Sequence, residues 1–197
     1  LTPIYQKPDT SRPAKGHKTY PYLLGRLRID RPNQVWCADI TYVPMPRGHA
    51  YLCAVMDWHS RKVLGWAVSN TMDQELCQSA LEAAVGQSKG CLPEIFNTDQ
   101  GSQFTAEEFT NAVLSRGCKL SMDGKGAWRD NVFVERLWRS VKYERVYLRA
   151  YGAVSEAKID VAQYIDWYNC ERVHSSIEDR PPEQAYWELL PKIAQAA

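Results

Sequence analysis

Apolar and polar positions change period several times along the chain, and each change marks an element. Residues 35–43 (VWCADITYV), 50–58 (AYLCAVMDW) and 62–69 (KVLGWAVS) are β-branched and aromatic runs of strand length, separated by turn signals at 44–48 and 59–61. Connections this short predict an antiparallel three-strand meander. The period then shifts from two to about 3.6. In 73–87 (DQELCQSALEAAVGQ), Leu76, Ala80, Leu81, Ala84 and Val85 form one stripe, ended by Gly90 and Pro93. Residues 94–99 (EIFNTD) read as a short strand, 106–117 as a helix with Phe109, Ala112 and Val113 inward, and 119–123 (KLSMD) as a further strand. This alternation implies parallel pairing through crossover helices.

A glycine-bearing segment at 124–126, read as mobile, leads into a helix over about 131–148. On that helix Glu135, Arg139 and Lys142 fall at i, i+4 and i+7 on one face, while Val134, Leu137, Trp138 and Val141 form an adjoining apolar stripe. Residues 155–174 predict a long amphipathic helix with Ile159, Ala162, Tyr164, Ile165 and Tyr168 on its apolar side. Pro181 and Pro182 open a short final helix through Leu190, with proline in the first turn. Three antiparallel strands followed by βαβ units define an α/β ribonuclease-H-like fold: a mixed five-stranded sheet flanked by helices, with C-terminal helices added. The chain divides into a basic N-terminal arm or linker (1–31), a ribonuclease-H-like core (32–150) and a C-terminal helical extension of that core (151–197).

Composition narrows the picture. At 197 residues and 45% hydrophobic, the chain can bury one core with extensions. No apolar run approaches the ~18 residues of a membrane span, and no signal-peptide pattern opens the chain, which points to a cytoplasmic protein. The chain opens on Leu1 rather than Met, so it reads as a fragment with something upstream. Its six cysteines are scattered without a C-x-x-C pair, so structural zinc is not indicated and the thiols read as small buried hydrophobes.

Net charge is only +1 but unevenly placed. Residues 1–31 carry seven Lys or Arg against two Asp, 125–149 carry seven against three acids, and 73–111 reverse the balance with seven acids against Lys89. Such asymmetry suits a polyanion lying along selected faces, although charge runs also arise as solvated surface.

Three acids sit in informative contexts: Asp39 and Asp99 on strands, with 59 residues between them, and Glu135 on a helix, 35 residues beyond Asp99. Three converging carboxylates suit hard divalent cations. Two such ions ~3.5–4 Å apart can serve phosphoryl displacement. Asp57 reads as structural, accepting hydrogen bonds from the following turn or pairing with Arg61, and His59 as a turn residue. Gly101, beside Gln100 and Gln103, either lets backbone approach a phosphate or makes a plain tight turn. Arg172 and His174 either touch DNA or, the reading preferred here, bind the C-terminal segment to the core.

The blocks RPNQVWCADITYV, VMDWHSRKVLGWAVS, TDQGSQFT, DNVFVERLWRSVKYE and YNCERVHSSIEDRPPEQAY, in this order and with the 35-residue final spacing, closely resemble bacterial transposases of the insertion-sequence-three family, specifically their second-reading-frame product. The catalytic core of that family is similar to retroviral integrases. The resemblance covers nearly the whole chain. It implies that Asp39, Asp99 and Glu135 are the metal-binding acid triad and that Lys142 lies near the DNA strand being cut or joined. Arg139 is assigned to DNA on physical grounds alone. Arg136 stands where many relatives carry Ser, and the family's upstream helix-turn-helix regions are not in this sequence. The implied cofactor is Mg²⁺, with Mn²⁺ substituting, as two ions. The implied partners are DNA (terminal inverted repeats and target), further copies of the chain, and the first-frame transposase protein. Rival readings are a non-catalytic DNA-binding remnant and a ribonuclease-H-type nuclease acting on RNA–DNA hybrids.

Overall fold

Strict alternation in the first strand decides what the sheet buries on each side. The computed structural model describes residues 19–123 and 132–190. Strand β1 (Val35–Pro44) sends Trp36 and Ala38 into one apolar cluster and Cys37 and Val43 into another on the opposite face. Strand β2 (His49–Asp57) divides the same way, with Leu52, Ala54 and Met56 beside Cys37, and Cys53 and Val55 beside Trp36. With both faces buried, these strands need helices above and below.

The remaining elements are β3 (Val63–Ser69), α1 (Gln74–Gln87), β4 (Ile95–Thr98), α2 (Ser102–Thr105), α3 (Glu107–Leu114), β5 (Lys119–Met122), α4 (Val132–Glu144), α5 (Val154–Cys170) and α6 (Pro182–Leu189), with 3₁₀ turns at Val146–Leu148 and Ser175–Ile177. The sheet order is β3-β2-β1-β4-β5. The β1–β2 and β2–β3 pairs are antiparallel, whereas β1–β4 and β4–β5 are parallel. This is the mixed five-stranded sheet that the hydrophobic pattern predicts. Helices α4 and α5 cover the Cys37 face through Val134, Leu137, Val141, Val161 and Ile165. Helices α1 and α3, with Tyr186 of α6, cover the Trp36 face.

Gly65 sets how closely α1 approaches β3. A Cβ built there would lie 2.2 Å from the Ala80 carbonyl oxygen and 2.4 Å from the Ala84 nitrogen. Backbone lies against backbone at this point, and any side chain would push the helix off the sheet.

The C-terminal helices are bonded into the core. The Asn169 side chain donates to the Val63 carbonyl (2.9 Å) and accepts from the Val63 N–H (3.0 Å), so α5 satisfies both backbone groups of Val63 on edge strand β3. Covering an edge in this way removes a template for unwanted strand pairing. Lys62, 2% exposed, pairs with Glu183 of α6 at 2.7 Å. The buried Tyr186 hydroxyl and the Trp36 indole both donate to the Asn33 Oδ1 at 2.8 Å, tying α6 to the entry of β1.

Several boundaries differ from the pattern-based reading. The helix expected over 131–148 ends at Glu144, because Arg145 leaves helical geometry (φ −137°, ψ −65°) and a 3₁₀ turn follows; position 131 and the segment 124–126 lie outside the described residues. Helix α5 stops at Cys170, where the Glu171 and Arg172 N–H groups both turn back to the Trp167 carbonyl. Its inward face is Ala157, Asp160, Val161, Tyr164, Ile165 and Tyr168, while Ile159 is 61% exposed. The inward stripe is rotated because Asp160 is drawn in by the Tyr151 hydroxyl at 2.7 Å. Helix α2 is a short turn that the polar run SQFT does not signal.

Gly65→Ala should lower folding stability by about 3 kcal/mol, the upper end of ordinary overpacking costs, because the obstruction is backbone. Chemical denaturation would show this as a lower midpoint, and an unchanged midpoint would contradict the close α1–β3 approach.

Candidate active site

The β1–β4 register brings two of the three acids side by side just past the last β1–β4 pair. Val35 pairs with Ile95 and Cys37 with Asn97. Continued by two residues, that register sets Asp39 opposite Asp99, which follows the last residue of β4. Adjacent strands lie ~4.8 Å apart, and residues two apart share a face. Asp39 therefore lies on the Cys37 side, under α4. The carboxyl ends of parallel strands are where α/β sheets place their ligand sites.

Glu135 comes from α4, and one hydrogen bond fixes how that helix meets β1. The Trp138 indole Nε1 donates to the Asp39 Oδ2 at 2.9 Å, while the other carboxylate oxygen, Oδ1, accepts from the Ile40 N–H at 2.8 Å. Trp138 follows Glu135 by three residues, so the turn that presents the glutamate also grips the aspartate. Glu135 and Arg139 are exposed and Lys142 is half-buried.

Asp99 is held by its own loop. Its Oδ1 accepts from the Gly101 N–H at 2.9 Å, and a Cβ on Gly101 would lie 2.9 Å from that same oxygen. A side chain here would have to displace the Asp99 carboxylate from this position. Gln100 donates to the Asp123 carbonyl at 2.9 Å and Gln103 to the Met72 carbonyl at 3.1 Å, which fixes the loop from both sides.

The electrostatics couple the three acids. Burial lifts the Asp39 carboxyl to about 6; the bonds from Trp138 and Ile40 oppose the rise, and the charges of Asp99 and Glu135 add to it. Asp99 stands at the exposed rim, yet desolvation on its protein side raises its carboxyl too, against the Gly101 bond. Mutually repelling, partly desolvated carboxylates are the donor chemistry that a hard divalent cation relieves. In donor type the residues fit Mg²⁺. Among the described residues, no three His, Cys, Asp or Glu side chains converge as a metal-holding group. The arrangement places acids near one another without assembling a coordination shell.

The neighbouring residues have clear roles. Asp57 is fully buried and accepts from the Asn33 N–H (2.7 Å), the Ser60 N–H (2.8 Å) and the Ser60 hydroxyl (2.7 Å), as its structural reading requires. Its partner is the turn rather than the Arg61 side chain, which lies over the Phe133 ring, 3.1 Å from the centroid. Arg172 binds Glu144 and the Tyr164 hydroxyl, joining α5 to α4. The His174 ring packs edge-on to Tyr168 at 5.0 Å. Trp138 is the residue that pattern reading missed, since its indole counts as apolar in a stripe. The available signal was that a buried indole N–H needs an acceptor.

Residues 29–127 match a family described as "Integrase core domain", and residues 116–182 match a second family of the same description. The chain belongs to the integrase core domain family, whose ribonuclease-H-like fold it shares. Among characterised relatives, it is 32% identical over 165 residues to the transposase for insertion sequence element IS904 of Lactococcus lactis, covering 83% of this chain and 65% of that protein. It is 34% identical over 154 residues to transposase InsF for insertion sequence IS3A of Escherichia coli, covering 78% of this chain and 54% of that protein. The chain thus spans less than two thirds of these transposases. In three dimensions it resembles the HTLV-2 integrase catalytic core domain, solved in complex with magnesium in a dimeric form, with a TM-score of 0.58, 21% identity, and coverage of 81% of this chain and 99% of that one.

In metal-free protein the Asp39 carboxyl should titrate near 6, as followed by carbon-detected NMR. Its folded pKa lies above the unfolded value of ~3.9, so its contribution to stability is present below that value and is lost as pH rises through about 6. Trp138→Phe keeps the ring but removes the N–H, and should move the titration further upward. No movement would contradict the indole–carboxylate bond.

Proposed function

We propose that this chain is the catalytic part of a DNA transposase that cuts a phosphodiester at an element's end and joins the freed strand to target DNA. The observation that carries the reading is the meeting of Asp39, Asp99 and Glu135 fields at the carboxyl end of parallel strands, in a chain of the integrase core family. Its similarity to insertion-sequence transposases supports the choice of substrate.

Asp39, Asp99 and Glu135 would hold Mg²⁺, with Mn²⁺ as a substitute, as a two-ion site; the HTLV-2 core solved with magnesium supports the choice of metal. When bound, such ions activate an attacking oxygen and stabilise the leaving one. The chain's own residues supply the rest. Trp138 orients the Asp39 carboxylate, and the Gly101 N–H restrains that of Asp99. Lys142, on the same flank of α4 as Glu135, and Arg139, on its solvent ridge, hold DNA phosphate. Water is the attacking group in the first step and the freed 3′-hydroxyl in the second, both at one site.

The DNA partners are the element's terminal inverted repeats and a target duplex. The working form is an assembly of several copies on DNA, in line with the dimeric HTLV-2 core, with the first-frame transposase protein as a further partner.

The test is Mg²⁺- or Mn²⁺-dependent nicking and strand transfer on element-end DNA. Asp99→Asn should reduce the rate by roughly 10³-fold, corresponding to several kcal/mol of lost transition-state stabilisation. Activity unchanged in this variant would overturn the assignment. Preferential cleavage of RNA–DNA hybrids would favour a ribonuclease-H-type nuclease, and tight end binding without any metal-dependent cleavage a non-catalytic remnant.

A further inference from the structure

Helix α4 has a second working flank. At 3.6 residues per turn, Glu135, Trp138 and Lys142 face the acids on one side of the buried Val134–Val141 ridge. Phe133, Arg136 and Ser140 face the other way, and Arg139 stands on the solvent ridge between the two. That other flank forms one wall of a groove of about 320 Å³, whose opposite wall is the segment joining α5 to α6. The volume lies within the ~300–1,000 Å³ range of ligand clefts.

The lining is strongly one-sided in charge. Arg61, Arg136, Arg139 and Arg172 converge on it with the hydroxyls of Ser140 and Ser176, and no carboxylate lines it among the described residues. Two of the cations have internal partners: Arg172 is bonded to Glu144, and Arg61 is stacked on Phe133 and donates to the Trp58 carbonyl. Arg136 and Arg139 are exposed and have no carboxylate partner among the described residues. Desolvation chiefly, with the Arg136 charge adding, depresses the Arg61 guanidinium to about 10. Burial, followed by Arg172 and Arg61, lowers the His174 imidazole.

Four guanidiniums gather around the groove and only Arg172 among them is paired with a carboxylate, leaving a surplus of positive charge that an entering anion would offset. Planar forks with several donors suit phosphate oxygens. Arg139, on the solvent ridge of α4, is the lining residue nearest in helical position to the Glu135 flank. We propose that this groove is a phosphodiester-binding site that holds DNA backbone one step away from the cleavage centre, on the far flank of α4. The proposal rests on the DNA-acting reading above but locates a contact separate from the acids. Arg61 and Arg172 shape the groove, while Arg136 and Arg139, with the hydroxyls, meet the phosphates.

The test is duplex DNA binding by fluorescence anisotropy with the full chain, in metal-free buffer, over a series of salt concentrations. Arg136→Gln and Ser176→Glu should each weaken binding by about 3- to 10-fold near 0.1 M salt. Arg136→Gln should also reduce the slope of log K against log salt by about 1, the signature of one lost phosphate contact. Lys158→Gln, at an exposed cation outside the groove, should leave both unchanged, and thermal melting should show that all three variants are folded. Wild-type slopes in both groove variants, an equal loss from Lys158→Gln, or no DNA binding by the wild type would each overturn the groove. Asp99→Asn separates the two readings. If it abolishes nothing while Arg136→Gln still loses binding, the cleavage assignment fails and the groove stands; if cleavage is metal-dependent but the groove variants bind normally, only the groove fails.

Discussion

The Trp138 indole and the Asp39 carboxylate share a single hydrogen bond, and the arrangement of the acid end hangs on it. A bond from a neutral donor to a charged acceptor contributes roughly 1.5–3 kcal/mol, more than most neutral pairs. Here it joins the central strand of the sheet to a helix more than ninety positions away in sequence, with the indole otherwise packed among Leu137, Val141 and the Cys37 face. The same contact fixes the rotation of α4 about its axis. With Trp138 locked inward, Glu135 must emerge on the acid flank and Arg136 on the opposite one. Together with the buried Val134, Leu137 and Val141, this bond sets which side of the helix meets Asp39 and which side meets the α5–α6 segment.

That bond works against a local penalty. Asp39 is half-buried and sits in the fields of Asp99 and Glu135, so its carboxyl is pushed up despite two hydrogen bonds. The repulsion that Asp99 and Glu135 add to the burial of Asp39 is one that a cation would relieve. The same reasoning applies with opposite sign on the other flank, where four guanidiniums line the groove and only Arg172 among them has a carboxylate partner, Glu144. α4 therefore divides a negative site from a positive one, and Arg139 stands at the divide.

Much of this was legible in the sequence. Period-two runs gave the meander, the switch to period 3.6 gave the crossover helices, and the five-stranded mixed sheet followed from their order. Placement of Asp39 on β1 was readable for the same reason, whereas Asp99, expected on a strand, lies just past the end of β4 at Thr98. What the sequence concealed were contacts between groups that pattern reading counts in the wrong class. Trp138 scores as apolar, yet its N–H positions the site. Gly65 scores as a weak strand residue, yet it admits the backbone of α1. Asp160 scores as a polar outer position, yet it faces inward to the Tyr151 hydroxyl and two arginines, rotating the buried stripe of α5 and leaving Ile159 in solvent.

The C-terminal helices show how the two halves of the problem connect. Asn169 on Val63, Glu183 on Lys62 and Tyr186 on Asn33 hold α5 and α6 against the edge and the entry of the sheet. Each bond ties a residue late in the chain to the first strands, so the extension cannot leave without exposing a strand edge, a buried lysine and a buried asparagine. Because it is fixed in this way, the α5–α6 segment can serve as a rigid wall opposite α4. The Arg172–Glu144 pair then sets the width of the space between them. The block that a sequence reader would assign to packing thus does pack, and by packing it shapes the groove.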